Sequence, residues 1–165
     1  MKEKDIIKGM SLEEKIAKAE ELAKGYFKNG LNCAECVLKT YMDMYDTGMP
    51  EEAICMASGF GGGIGHTKSV CGAVSGAVMA LGLDKGRKDP DGPREEMRER
   101  IDHLYKNIYP EFASLLDDVK DEYGTIICSE MSQQFEDFES KPRMRNCMKI
   151  TMDCAALAVK HTEEA

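Results

Sequence analysis

Apolar positions recur every three to four residues along most of this chain, the spacing of helices that each bury one face. Ser11-Leu12-Glu13-Glu14 reads as a capping box, with Glu14 three residues after the Ser11 cap. Ile16, Ala19, Leu22, Ala23, Tyr26 and Phe27 follow as the stripe of a first helix, ended by Asn29-Gly30. Asn32, with Glu35 three residues on, caps a second helix whose face is Cys33, Cys36, Val37, Tyr41 and Met44. Gly48-Met49-Pro50 breaks it, and the stretch from Pro50 to Ser58 predicts a short third helix. The run GFGGGIG, residues 59–65, is the strongest loop signal in the sequence. From Ser69 a helix of small residues, VCGAVSGAVMALG, runs to about Gly82. Glycine weakens a helix, so Gly72 and Gly76 on one face imply that a backbone or a cofactor packs there. Residues 84–93 are linker-like, and Pro93 opens a long charged helix that Pro110 must kink or split. Its stripe is Met97, Ile101, Leu104, Tyr105, Ile108, Phe112, Leu115, Leu116 and Val119, ending at Gly124. A turn from Thr125 carries Cys128, and a last helix from about Pro142 places Cys147, Ile150, Cys154 and Leu157 on one face. No convincing strand is found. The pattern predicts an all-α, single-domain bundle of five to seven helices over residues 1–165, with a Gly-rich loop and a loose extension at 1–10.

Composition agrees. Hydrophobic residues make up 42% of the 165 residues, there is no Trp, and twelve Met stand in for aromatics, which suits a helical core. Twenty-two Lys and Arg against thirty Asp and Glu leave a formal charge of −8, the wrong sign for phosphate backbones, so no nucleic-acid partner is expected. The longest nearly uncharged apolar run, Val70 to Leu83, is fourteen residues, too short to cross a bilayer, and no membrane insertion is expected. The N-terminal residues lack the apolar stretch of a signal peptide, and a cytoplasmic location is expected.

Seven cysteines are then the anomaly. In a reducing compartment they point to metal ligation or redox chemistry, although any single one can be a small buried apolar residue. Cys33, Cys71 and Cys128 each fall in the first turn of a predicted helix, where unpaired N–H groups and the helix dipole favour a thiolate. Cys33 and Cys36 form a CxxC, close enough on a helix to bind one metal or to cycle as a disulfide. Cys55 and Cys154 are assigned to the core. The glycine loop fails the P-loop test because no Gly-Lys-Ser or Gly-Lys-Thr stands in register, and no Val/Ile-rich strand precedes it. Its amides, around Gly63 and Gly65, are instead free to point at sulfur. His66 is read as exposed, with a role as extra ligand the less favoured alternative; His103 and His161 are read as solvated.

The run ASGFGGGIGHTKSVCGAVSGAVMALGL, preceded by NCAECVL and followed by YGTIICSEM and RNCMKI, resembles the C_GCAxxG_C_C family, whose members are described as redox-active. The resemblance covers roughly Ala17 to Lys160. It implies that Cys33, Cys71, Cys128 and Cys147 are the family's four cysteines and that Cys71, Gly72, Ala73 and Gly76 form its glycine motif. Cys36, Cys55 and Cys154 are additions, and Ser129-Glu130-Met131-Ser132 departs from the family's Leu-Leu-Gly after the third cysteine. Family members are sometimes encoded near transporter genes. A similar module looks like the one joined to haem domains in split-Soret cytochromes, where an iron–sulfur cluster has been proposed.

Three mechanisms follow as expectations. In the first, Cys33, Cys71, Cys128 and Cys147 ligate an iron–sulfur cluster, most simply two-iron two-sulfur, for electron transfer or redox sensing with an unidentified redox partner protein; the amides near Gly63 and Gly65 tune it. In the second, Cys33 attacks as a thiolate and Cys36 or Cys71 resolves, a thiol–disulfide oxidoreductase without a cofactor. In the third, the four cysteines hold a structural zinc in a helical interaction protein.

Overall fold

The computed structural model describes residues 1–164 and is an all-α bundle. Its long helices are α1 (Leu12–Lys28), α2 (Cys33–Met44), α3 (Gly72–Lys85), α5 (Tyr109–Tyr123) and α7 (Lys141–Glu163). Shorter helices are α4 (Met97–His103) and α6 (Cys128–Met131), and Glu51–Phe60 forms a 3-10 helix where a short α-helix was expected. The capping boxes at Ser11 and Asn32 form as the sequence predicts. One buried cluster runs through α1, α2, α3, α5 and α7, with Val37, Tyr41, Val74, Ala77, Leu81, Leu115, Val119, Ile150 and Val159 at its centre. Gly76 allows α3 to lie against α2, since a Cβ there would stand 2.8 Å from the Ala34 carbonyl oxygen. Among the described residues no helix is long and apolar enough to cross a membrane.

Four expectations change. The first ten residues are tied down rather than loose. Lys2–Glu3 (β1) pairs antiparallel with Tyr45–Asp46 (β2), Ile7 is fully buried, and Lys4 Nζ donates to the Met42 carbonyl at 2.7 Å. Lys15, only 4% exposed, bridges Glu3 and Glu163, joining the chain's start to its last helix. The helix after Pro93 is split as expected, but ahead of Pro110 rather than at it: a π-helical turn, Leu104–Ile108, separates α4 from α5, and Pro110 sits in the first turn of α5, where its missing N–H costs nothing. The first half of that stripe is not core, because Met97, Ile101 and Tyr105 are 45%, 43% and 65% exposed. His161 is not solvated but shares Asp118 with Lys160, both at 3.1 Å.

Candidate functional site: a four-cysteine cavity

Cys33, Cys71, Cys128 and Cys147 line one small cavity of about 20 Å3, together with Gly62, Gly72, Ala73, Arg143, Ile150 and Thr151. That is room for one water-sized body, so a larger group would need the four thiols to spread apart. Cys33 is the first residue of α2, and its position is fixed by the Asn32 cap. The Asn32 side-chain amide donates to the Ser58 carbonyl at 3.1 Å, and the Ser58 hydroxyl donates to Glu35 at 2.6 Å, which ties that helix start to the 3-10 helix. Cys71 is the N-cap of α3 and Cys128 opens α6. A short main-chain ladder holds these two together: Val70 bridges Ile127, the Cys71 amide donates to Ile126 at 2.8 Å, and the Cys128 amide donates to Ser69 at 2.7 Å. Cys147 enters from the second turn of α7, one turn beyond Arg143. Gly72 is glycine for room: a Cβ there would stand 2.6 Å from both Cys33 Sγ and the Phe60 carbonyl oxygen.

The glycine loop is a turn of left-handed backbone. Gly62, Gly63, Ile64, Gly65 and His66 all have φ between 57° and 75°, and Lys68 has 63°. Left-handed backbone costs a non-glycine residue about 1–2 kcal/mol. The loop is pressed against the site, since a Cβ on Gly63 would lie 2.8 Å from Cys128 Cβ. Of the two glycines singled out from the sequence, Gly63 lies at the site, whereas the Gly65 amide is turned away from it. Gly62 lines the cavity, Gly63 packs behind Cys128, and the Gly65 amide is spent on the Gly59 carbonyl at 2.7 Å.

Burial, not the helix dipole, dominates the thiols. It pushes Cys71 up to about 12 and Cys147 up to about 11, and it raises Cys128 as well. The amides of Val74 and Ala73 act on Cys71 in the thiolate's favour but do not prevail. The expected low-pKa thiolates at helix starts are therefore corrected for Cys71 and Cys128: both are neutral thiols, which a metal would have to deprotonate. Arg143 opposes the rise at both Cys128 and Cys147, and Lys68 opposes it at Cys128. Cys36 does not line the cavity; it is fully buried, with its thiol 3.6 Å from the Leu31 carbonyl. Cys154 is buried in the core as expected, whereas Cys55 is exposed, not core. His66 lies outside the cavity lining and faces Glu139 at 3.1 Å.

Arg143 was not among the residues singled out from sequence. Its guanidinium lies 3.5 Å from the Phe138 ring centroid, and the Lys68 ammonium sits 4.4 Å from the same ring. A signal was present: the start of α7, Lys-Pro-Arg-Met-Arg, gathers cations at a helix N-terminus, where the dipole disfavours them.

A model of the family described as "Putative redox-active protein (C_GCAxxG_C_C)" matches residues 31–161, nearly the whole chain. The chain belongs to the C_GCAxxG_C_C family. No curated protein and no solved structure gives a significant match. The four cysteines that the family resemblance implied are thus the four that the fold brings to one cavity.

Proposed function

We propose that Cys33, Cys71, Cys128 and Cys147 hold an iron–sulfur cluster, most simply two-iron two-sulfur, and that the protein carries single electrons or senses redox state through it. The observation behind this reading is the convergence of four thiols from four separate helices on one cavity. The donor set fits: four cysteine sulfurs with no competing carboxylate or imidazole in the lining suit a cluster of this kind. A single zinc ion needs four sulfurs about 2.3 Å from one point. A bound cluster would supply reversible one-electron chemistry. The chain's own residues bind through the four sulfurs and exclude water with Ile150 and Ala73. They also surround the site with the Cys71-facing amides of Ala73 and Val74.

A second reading has one observation in its favour. Cys33 Sγ lies against Gly72, next to Cys71, so these two thiols are the natural partners for a disulfide; Cys36, turned into the core, is not.

Purification without oxygen, with iron, zinc and acid-labile sulfide quantified per chain, separates the readings. The expected result is a coloured protein with iron and sulfide in equal amounts. Cys128→Ser or Cys147→Ser should remove the colour, while Cys55→Ser leaves it unchanged because that thiol is exposed and outside the cavity. Zinc alone would overturn the cluster in favour of a structural site. A metal-free protein that takes up neither iron nor sulfide on reconstitution, yet cycles between thiol and disulfide through Cys33 and Cys71, would establish the second reading.

A further inference from the structure

Arg143 is a largely buried cation that rests on the Phe138 ring and has no ion-pair partner among the described residues. The residue is 9% exposed and its Nε has no hydrogen-bond partner. A buried unpaired charge costs several kcal/mol, so such a group is retained where an opposite charge arrives. Arg143 lines the four-cysteine cavity beside Cys128 and Cys147, and its positive charge favours the thiolate form of both. Phe138 holds it in place from the other side, and Lys68, exposed at the loop, faces the same ring and the same cysteine.

In an acidic chain of net −8, Arg143 stands in the first turn of α7, where the helix dipole works against a cation. Four thiolates are the charge that would match it. We propose that Arg143, backed by Lys68, is the counter-ion of the four-cysteine centre, a positioning residue whose fixed positive charge sets how readily that centre accepts an electron. The inference rests on the proposed cluster reading. Reduction adds one electron, taken from the external reductant, and hence one negative charge to the site. A cation a few ångströms away stabilises the reduced form more than the oxidised one.

The test uses the full chain, reconstituted with ferrous iron and sulfide without oxygen and titrated with a dye-mediated reductant. Arg143→Met, which keeps the bulk and removes the charge, is expected to disfavour reduction at least tenfold, a fall of about 60 mV for a one-electron couple. Arg143→Lys should stay within twofold of the parent, and Lys68→Gln should fall two- to threefold in the same direction. The cluster-free Arg143→Met protein should melt no lower than the parent, because it has lost an unpaired buried charge. A potential unchanged in Arg143→Met overturns the inference and leaves the cluster reading standing. So does a marked drop in its cluster-free melting temperature, which would make Arg143 a packing residue. Should Arg143→Met take up no cluster, Lys68→Gln decides, since an exposed side chain can be removed without unfolding the chain: no shift there overturns the inference. A parent protein that binds no iron and sulfide overturns the cluster reading, and the counter-ion role with it.

Discussion

Gly72 and Gly25 are both helical glycines, and their surroundings assign them opposite effects. Alanine at Gly72 would press a methyl carbon into Cys33 Sγ and the Phe60 carbonyl, both 2.6 Å away, and the backbone oxygen cannot rotate aside. Overpacking of this kind costs about 1–3 kcal/mol. Gly72→Ala is therefore expected to destabilise the protein by that amount and to displace Cys33 from the cavity, lowering iron uptake. Gly25, exposed in α1 with nothing within 4 Å of a built Cβ, should gain about 0.5–1 kcal/mol on substitution by Ala. Urea denaturation of the two variants checks both signs, and a Gly72→Ala protein as stable as the parent would show that the close approach is dispensable. At this scale the sequence was informative where the cause is local. The caps at Ser11 and Asn32 and the close packing at Gly72 and Gly76 were legible, because a cap is an i, i+3 pattern and two glycines on one helix face carry a cost that packing must offset. Cys55 was misread, since an apolar neighbourhood says which residues share a face and not whether anything covers it.

The left-handed turn at Gly62–His66 is the element that shapes the site. Three of its glycines adopt this backbone freely; Ile64, His66 and Lys68 adopt it at a cost. Strain of this kind persists where surrounding contacts over-determine it. Here the amides of residues 64, 65, 66, 68 and 69 all donate back into residues 59–63, and the turn as a whole lies against Cys128. Ile64 is 42% exposed, so replacing it by Gly removes the strain and gives up a side chain that is only partly covered. Ile64→Gly is expected to raise stability by about 1 kcal/mol and leave iron and sulfide content unchanged; a loss of stability would mean that the Ile64 side chain contributes more than its backbone costs. From sequence the segment was identifiable as a loop, but its handedness and its contact with Cys128 were not. The same holds for the ladder joining Cys71 to Cys128, which pairs Val70 with Ile127 from distant parts of the chain and has no local signature. The exposed stripe of Met97, Ile101 and Tyr105 teaches the converse: periodicity there was right about helix and wrong about burial.

For the whole molecule, the buried phenols and the Lys15 bridge make stability depend on pH on the alkaline side. Tyr41 and Tyr45 are at most 1% exposed, and burial raises both phenols well above their ordinary value; Tyr123, hydrogen-bonded to Asp153, is raised in the same sense, first by burial. Lys15 is also raised, because its two carboxylate bonds to Glu163 and Glu3 outweigh the opposing effect of burial. In every case the folded state holds its proton more tightly than the unfolded chain. As pH climbs past about 10, where free phenols and then free amines titrate, the unfolded chain loses protons that the folded one keeps, so stability falls with rising pH. Each fully buried phenol removes at most about 1.4 kcal/mol per pH unit once the free phenol is fully ionised, so Tyr41 and Tyr45 together remove about 2 kcal/mol between pH 10 and 11. Urea midpoints measured from pH 7 to 11 should begin to fall at about pH 8.5, where free thiols titrate while Cys71 and Cys147 keep their protons, and drop more steeply past about pH 10. The phenolate absorbance of Tyr41, Tyr45 and Tyr123 should appear together with loss of the helical circular-dichroism signal. Phenolate forming in these three residues while helicity is intact would show that water reaches the α1–α2–α7 core, and that the tie between the chain's first residues and its last helix is looser than the Glu3–Lys15–Glu163 bridge implies.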